Sequence, residues 1–433
     1  MESIEINGFL TIDHAHFEIK KINILIGAQA QGKSVIAKLV YFFQHFFPAI
    51  FMASVKAQKP KYEADKNSFA QFAKIFPHYT WENQEFSICY HYENYSITIK
   101  NIRESSTFSL LFIYSKQLCI YQKEFEDAYK NIAEYAYSQS FDDDRISPSD
   151  IIDDLFEQDI RSKIPNSMMN HSSIFIPAGR SFFATLQKNI FSFLSSDIDI
   201  DPLIKEFGSR YAVAKRFKHS NSLNTSNISN TTKTITKKIE RLVNDITMGK
   251  YLYDDEQDWI LNNGKKTNLA HASSGQQESL PMLLLLKIWP FLAKHKKTTN
   301  TFFIEEPEAH LFPSSQKQII SLIATIYNAT GYSFFITTHS PYILTALNNL
   351  VVGKDAHQKA KNNTAALEKL ADVLPTDELI SLEEISAYTL NQGKLESIID
   401  QENRLIGANL LDAVSDEFDT AFGVATDILY GDD

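Results

Sequence analysis

Residues 24–43, ILIGAQAQGKSVIAKLVYFF, place an apolar strand, a loop of small and polar residues and an apolar helical pattern in direct succession. That order restricts the possible folds more than any other stretch of the chain. The loop fits G-x-x-x-x-G-K-[ST] through Gly27, Gly32, Lys33 and Ser34, with Ala28, Gln29, Ala30 and Gln31 between them. In such a loop the backbone amides converge on phosphate oxygens, and the following helix adds the positive end of its dipole. Gly32 permits a close backbone approach and dihedral angles closed to other residues. Lys33 is placed to reach the β- and γ-phosphates of a nucleotide, and Ser34 to ligate Mg²⁺. Val35, Ile36, Leu39, Val40 and Phe43 mark the apolar face of a helix predicted from Lys33 to Phe47 and ended by Pro48.

Composition limits what surrounds this loop. The chain has 433 residues, 44% hydrophobic and 22% charged, enough for two or three globular domains. A net charge of -11 argues against tight non-specific nucleic-acid binding by the whole molecule and leaves room for a local basic patch. Cys89 and Cys119 lack metal-ligand spacing and predict free or buried thiols in a reducing compartment. The charged start MESIEINGFL lacks the apolar centre of a signal peptide. The longest apolar runs fall short of the roughly 18 residues a membrane helix needs. The expectation is a cytoplasmic chain that does not engage a membrane.

Before the loop, SIEINGFL and HFEIKKINILIG predict two strands split by TIDHA. Residues 84–122 read as strands, with a hairpin turning at Glu93-Asn94 and a third strand in TFSLLFIYS. The acidic run 124–163 reads as a solvated helical face with a Ser-Pro break. SSIFIPAGRSFF returns to strand and then helix, and a helical lobe is predicted over 184–262, with a Ser/Asn/Thr-rich loop at 219–233. This lobe holds the one basic region, from Lys205 to Lys250, including Arg210, Lys215, Arg216, Lys218, Lys237, Lys238 and Arg241. It reads either as a solvated lobe or as a contact for nucleic acid or an acidic partner. The last third alternates strand and helix in the manner of a parallel α/β sheet.

Three further constellations follow. In TNTFFIEEPEAHLFP, two carboxylates end an apolar strand, where ligands sit in doubly wound sheets. Glu305 is placed to hold Mg²⁺ directly or through its water, and Glu306 to polarise an attacking water. In SSGQQESLPMLLLL, Ser274 is the expected N-cap, forming an anion site with Gly275 and the exposed amides; Pro281 should kink the helix or delay its start. In FFITTHSPYIL, His339 ends an apolar strand, where it can hydrogen-bond a γ-phosphate or its water. Its neighbour Ser340 would point to the opposite face of that strand.

In this order the four motifs resemble an ABC-type ATPase head of the SMC/RecF-like class, with the phosphate loop as Walker A, FFIEE as Walker B, SSGQQE as the signature and His339 as the switch histidine. Together with IPAGRS, IEEPEAHLFP and TTHSPYIL they are similar to bacterial AAA family ATPases, including those of OLD-like, Septu (PtuA) and PARIS (AriA) antiphage systems. The likeness covers about 1–45 and 172–352, plus a tail pattern. Glu305 stands where many relatives carry Asp, and SSGQQ replaces LSGGQ. The residues after His339 are too few for a Toprim nuclease and show no Asp-x-Asp, so the expectation is a chain without its own nuclease. No long heptad stretch suggests a coiled-coil arm.

The implied fold is α/β: a P-loop NTPase head of ABC type with an antiparallel β subdomain and an inserted helical lobe. It divides into 1–122 with the P-loop and β subdomain, an acidic insertion 123–171, a helical lobe 172–265, a second part of the head 266–352, and a tail 353–433. The resemblance implies ATP and Mg²⁺ as ligands and a head-to-tail homodimer or larger homo-oligomer, in which Ser274 and Gly275 act in trans on the nucleotide of a second copy. Arg180 reads either as a phosphate or intersubunit contact or as a structural ion pair. Three functions follow as expectations. The first is an ATPase controlling a separate effector, a toxin or nuclease, in antiphage defence. The second is a DNA-repair or DNA-clamp ATPase that touches nucleic acid through the basic lobe. The third is a slow-hydrolysing, ATP-bound scaffold.

Overall fold

The computed structural model describes residues 2–104, 107–139, 152, 155, 173–189, 200–219, 230–292 and 300–407. The Ser-Pro break, most of the Ser/Asn/Thr-rich loop and the tail beyond 407 lie outside the described residues. One mixed sheet of eleven strands, in the order β6-β5-β4-β1-β2-β14-β13-β3-β12-β11-β7, organises the chain. Its antiparallel wing is built from β1 (Glu2–Phe9), β2 (Ile12–Ile19), β4 (Phe86–Tyr92), β5 (Tyr95–Glu104) and β6 (Thr107–Tyr114). Its parallel half is β13 (Ile385–Asn391), β3 (Ile22–Ile26), β12 (Ser333–Thr338), β11 (Thr301–Glu305) and β7 (Ile174–Ile176). β14 (Lys394–Ser397) hairpins back from β13 and joins the two halves.

Each central strand is buried on both faces, so its residues alternate between two cores. Ile22, Ile24 and Ile26, with Phe302, Ile304, Phe334 and Ile336, face one core. Leu25, Phe303 and Phe335 face the other. The second core is covered by α1 (Lys33–Tyr41), α2 (Phe47–Lys56), α3 (Lys61–Ile75) and α4 (Lys116–Gln139). The first is covered by α5 (Ser181–Leu186), α6 (Pro202–His219), α7 (Asn230–Ile246), α8 (Ser274–Leu292), α9 (Pro313–Thr330) and α10 (Pro341–Lys359). α11 (Thr364–Val373) follows, before the chain returns to the sheet as β13.

Several local expectations differ from the structure. Three strands, not two, precede the loop: the chain turns at Leu10-Thr11, with Leu10 at φ +55°, and TIDHA lies largely within β2. Pro48 does not end the first helix. A π-helical segment, Phe42–Phe46, joins α1 to α2, and Pro48 falls in the first turn after it, where a missing N–H is tolerated. The resulting helical run Lys33–Lys56 is 24 residues long and apolar enough to cross a membrane by length and composition, contrary to the reading of the apolar runs; 61% of its apolar window is buried inside the protein. Residues 116–122 are helical rather than strand-like. The end of the predicted helical lobe, from residue 250, is instead a three-stranded meander that runs on past the lobe's expected bound at 265: β8 (Lys250–Asp254), β9 (Gln257–Asn262) and β10 (Lys265–Asn268). Its turns, Asp255-Glu256 and Asn263-Gly264, have both residues at positive φ, the geometry that matches the twist of a two-residue hairpin. The segment read as a tail contributes β13, which pairs in parallel with β3 itself.

Candidate functional site

Strand register assembles the site. Thr338 pairs with Ile26, and Glu305 with Thr337, so β3, β12 and β11 end together. The residues that follow them (Gly27, His339 and Glu306) meet at the carboxyl edge of the sheet. Gly27 (φ +153°), Ala30 (φ +59°) and Gly32 (φ +102°) turn the loop between β3 and α1. A Cβ at 27 would lie 2.8 Å from the Leu390 carbonyl, and one at 32 would lie 2.7 Å from Thr11 Oγ1. Both glycines are therefore demanded by packing against neighbouring strands as well as by the loop's shape. α1 has no side-chain N-cap, which leaves its first turn suited to an anion.

Lys33 reaches back across the loop. Its Nζ donates to the carbonyls of Gly27 (2.8 Å) and Ala28 (2.6 Å) and lies 3.4 Å from His339 Nδ1. The other ring nitrogen of His339, Nε2, lies 3.2 Å from Glu306 Oε1. With the proton on Nε2, the imidazole donates to Glu306 and accepts from Lys33, so one histidine spans carboxylate and cation. Burial pushes the Lys33 ammonium down from its ordinary value; the carboxylates of Glu306 and Glu308 oppose that. Lys33, Ser34, Glu306 and His339 line a cleft of about 560 Å³ whose far wall includes Ile75, Phe76 and Pro77. A second cleft of about 320 Å³ lies at the opposite edge, beside Asn23, Thr301 and Ser333 at the strand starts.

Glu305 is the last residue of β11 and 8% exposed. Its Oε2 accepts the Ala178 amide at 3.2 Å, while its Oε1 is buried without a hydrogen-bond partner. An orphaned buried carboxylate oxygen at a strand end fits a cation or its water. Among the described residues no cluster of three His, Cys, Asp or Glu side chains is placed to hold a metal by itself. A Mg²⁺ held through Ser34 and Glu305 would take its remaining ligands from phosphate and water.

The signature differs from expectation in one residue. α8 begins at Ser274, so Ser273 is the cap. Its Oγ accepts the Gln276 amide (3.4 Å), and Gln276 Oε1 accepts the Ser273 amide (3.2 Å), a reciprocal capping box. Ser274, in the first turn, is exposed. Gly275 is required by the chain opposite: a Cβ there would meet the His310 carbonyl at 2.7 Å. Pro281 lies inside α8 without delaying its start. Neither Ser274 nor Gly275 lines the cleft of the same chain's phosphate loop. His339 lies just beyond β12, and Ser340 is the N-cap of α10, accepting from the Tyr342 amide at 3.2 Å.

Two acidic residues of the site went unread in the sequence. Glu308 Oε1 accepts from the Thr338 hydroxyl and the His339 amide, both at 2.7 Å, and so fixes the turn that carries the histidine. Glu278 pairs with Arg180, which is fully buried and is a structural ion pair rather than a phosphate contact. The basic region is likewise partly consumed inside the fold. Lys215 is buried and bonds Asp258 at 2.8 Å, Arg210 pairs with Glu206, and Lys238 pairs with Asp377 and Glu378.

Over residues 1–344 the chain matches the AAA ATPase domain family. The chain belongs to that family. Among curated proteins it is similar to the Old nuclease of Escherichia phage P2, 29% identical over 130 residues, which is 29% of this chain and 21% of that protein. Among solved structures it is similar to the SMC head domain from Thermotoga maritima (TM-score 0.34, 11% identity, 92% of this chain and 98% of that one). It is also similar to the recombination mediator protein RecF (TM-score 0.31, 11% identity, 92% and 97%). The matched span contains Gly27, Lys33 and Ser34 together with Glu306 and His339.

Proposed function

We propose that the chain binds Mg-ATP in the 560 Å³ cleft and hydrolyses it, with Glu306 as general base. The observation that carries this reading is the line Lys33–His339–Glu306, in which one imidazole lies within 3.4 Å of the phosphate-loop lysine and 3.2 Å of the carboxylate. Lys33 and the amides of residues 27–34 bind the phosphates. Ile75, Phe76 and Pro77 give the base and ribose an apolar wall. Glu306 orients a water and accepts its proton, and His339 holds that carboxylate and responds to the terminal phosphate. Mg²⁺, through Ser34 and Glu305, would neutralise charge on the phosphate oxygens.

The exposed Ser274, freed from capping by Ser273, supports its use by a second copy of the chain. In this reading two copies enclose two nucleotides, and the closed state is read by a separate effector in antiphage defence. The effector and defence parts rest on motif resemblance and on the partial likeness to Old nuclease. Turnover measured with and without the neighbouring gene products tests them.

Glu306→Gln tests the catalytic part. It should retain the thermal shift given by Mg-ATP while phosphate release falls at least about a hundredfold, in line with loss of a general base. Lys33→Ala should lose the shift itself. Undiminished phosphate release by Glu306→Gln would remove Glu306 from the mechanism.

A further inference from the structure

We propose that Arg180, held by Glu278, is a positioning residue that sets the backbone of Glu305 and Glu306 from the signature helix. This inference rests on the ATPase reading above. Four of the guanidinium N–H groups donate, each to a backbone carbonyl. Nε donates to the Glu278 carbonyl (3.0 Å), and Nη1 to the carbonyls of Pro177 (2.8 Å) and Glu305 (2.6 Å). Nη2 donates to the Glu306 carbonyl (3.0 Å) and lies 3.3 Å from Glu278 Oε1. Glu278 in turn accepts the backbone amides of Arg180 and Ser181, each at 2.9 Å.

A buried ion pair is a poor route to stability, since well-packed apolar residues often do as well. What this pair does that an apolar pair does not is grip two successive carbonyls at one point of the chain. That point is the exit from β11, where Glu306 holds φ +44°, a conformation disfavoured for a residue with a Cβ. The planar fork bonds four carbonyls from three separate nitrogens, among them those of Glu305 and Glu306; an ammonium, with three donors at one point, cannot keep all four. The direction of the Glu306 carboxylate follows from that backbone. Glu278 lies about one helical turn beyond Ser274 on α8, so a movement of the signature upon engagement is carried to Glu278, to Arg180 and then to the two carbonyls.

The experiment compares Arg180→Lys, which keeps the charge but not the fork, with the double variant Arg180→Met/Glu278→Gln, which removes both charges and keeps one of the two acceptor oxygens that Glu278 offers the amides. Steady-state hydrolysis of ATP, the Mg-ATP thermal shift and the unliganded melting temperature are read for each. In both variants kcat should fall at least tenfold, with KM within about threefold and the thermal shift retained. The loss caused by Ser274→Ala should also be smaller in the Arg180→Lys background than in the wild type. A folded variant with kcat within twofold of wild type overturns the proposal. So does a fall in kcat matched by an equal loss of Mg-ATP binding, independent effects of Ser274→Ala and Arg180→Lys, or failure of both variants to fold. A wild-type chain that binds Mg-ATP without releasing phosphate contradicts the ATPase reading itself, and this inference with it.

Discussion

Glu308 accepts from both Thr338 and His339, yet IEEPEAHLFP by itself does not reveal that role, because both partners come from the end of another strand. Gly27, Gly32, Lys33, Ser34, Glu306 and His339 were legible because each belongs to a short pattern with its own chemistry. Glu278 and Glu308 were not, since a carboxylate that acts by holding a distant backbone leaves no local signature. Glu2 is of the same kind. It is half-buried at the start of β1, accepting from Tyr90 and Gln44 at 2.6 Å each, and desolvation raises its carboxyl above the ordinary value. The folded chain therefore holds a proton that the unfolded chain releases. The Glu2 contribution to stability is fully present below the ordinary Glu pKa of about 4.3 and is lost as pH rises from there through the folded value. Glu2→Gln keeps an acceptor and removes the charge. Its melting temperature should exceed the wild type's near pH 7.5 and converge with it toward pH 4; a pH-independent difference would contradict this account of Glu2.

At the level of elements, the strand–loop–helix from Ile22 to Tyr41 and the strands ending at Glu305 and Thr338 follow from their apolar runs. The C-terminal hairpin does not. Its sequence, EISAYTLNQGK, alternates like a strand and contains a turn, with Gln392 and Gly393 both at positive φ, but nothing in it names β3 as the neighbour. Nor does the basic character of 205–250 reveal that Lys215 is buried against Asp258. The hairpin matters because Leu390 packs on the phosphate loop: its carbonyl lies 2.8 Å from where a Cβ of residue 27 would be, and its side chain 3.4 Å from where one of residue 32 would be. Leu390 is 1% exposed. Leu390→Ala should cost about 2–5 kcal/mol of stability, as for other buried leucines. It should also weaken Mg-ATP binding although the side chain touches none of the chemistry, as read by denaturant melts and nucleotide titration. Unchanged nucleotide affinity in the folded variant would mean that the hairpin does not support the loop.

Across the whole molecule, the site draws on residues from 27 to 390 because one eleven-stranded sheet gathers their strand ends at one edge. The signature is the exception. Ser274 is exposed, its capping duty belongs to Ser273, and it lines none of its own chain's cleft. In the proposed assembly the cleft is half of a site. Its most direct test is the mass of Glu306→Gln in solution, by light scattering, with and without Mg-ATP. The expected result is a shift from the mass of one 49.4 kDa chain to twice that mass on adding Mg-ATP, abolished by Ser274→Arg. A chain that binds Mg-ATP and keeps the mass of a single copy would contradict it.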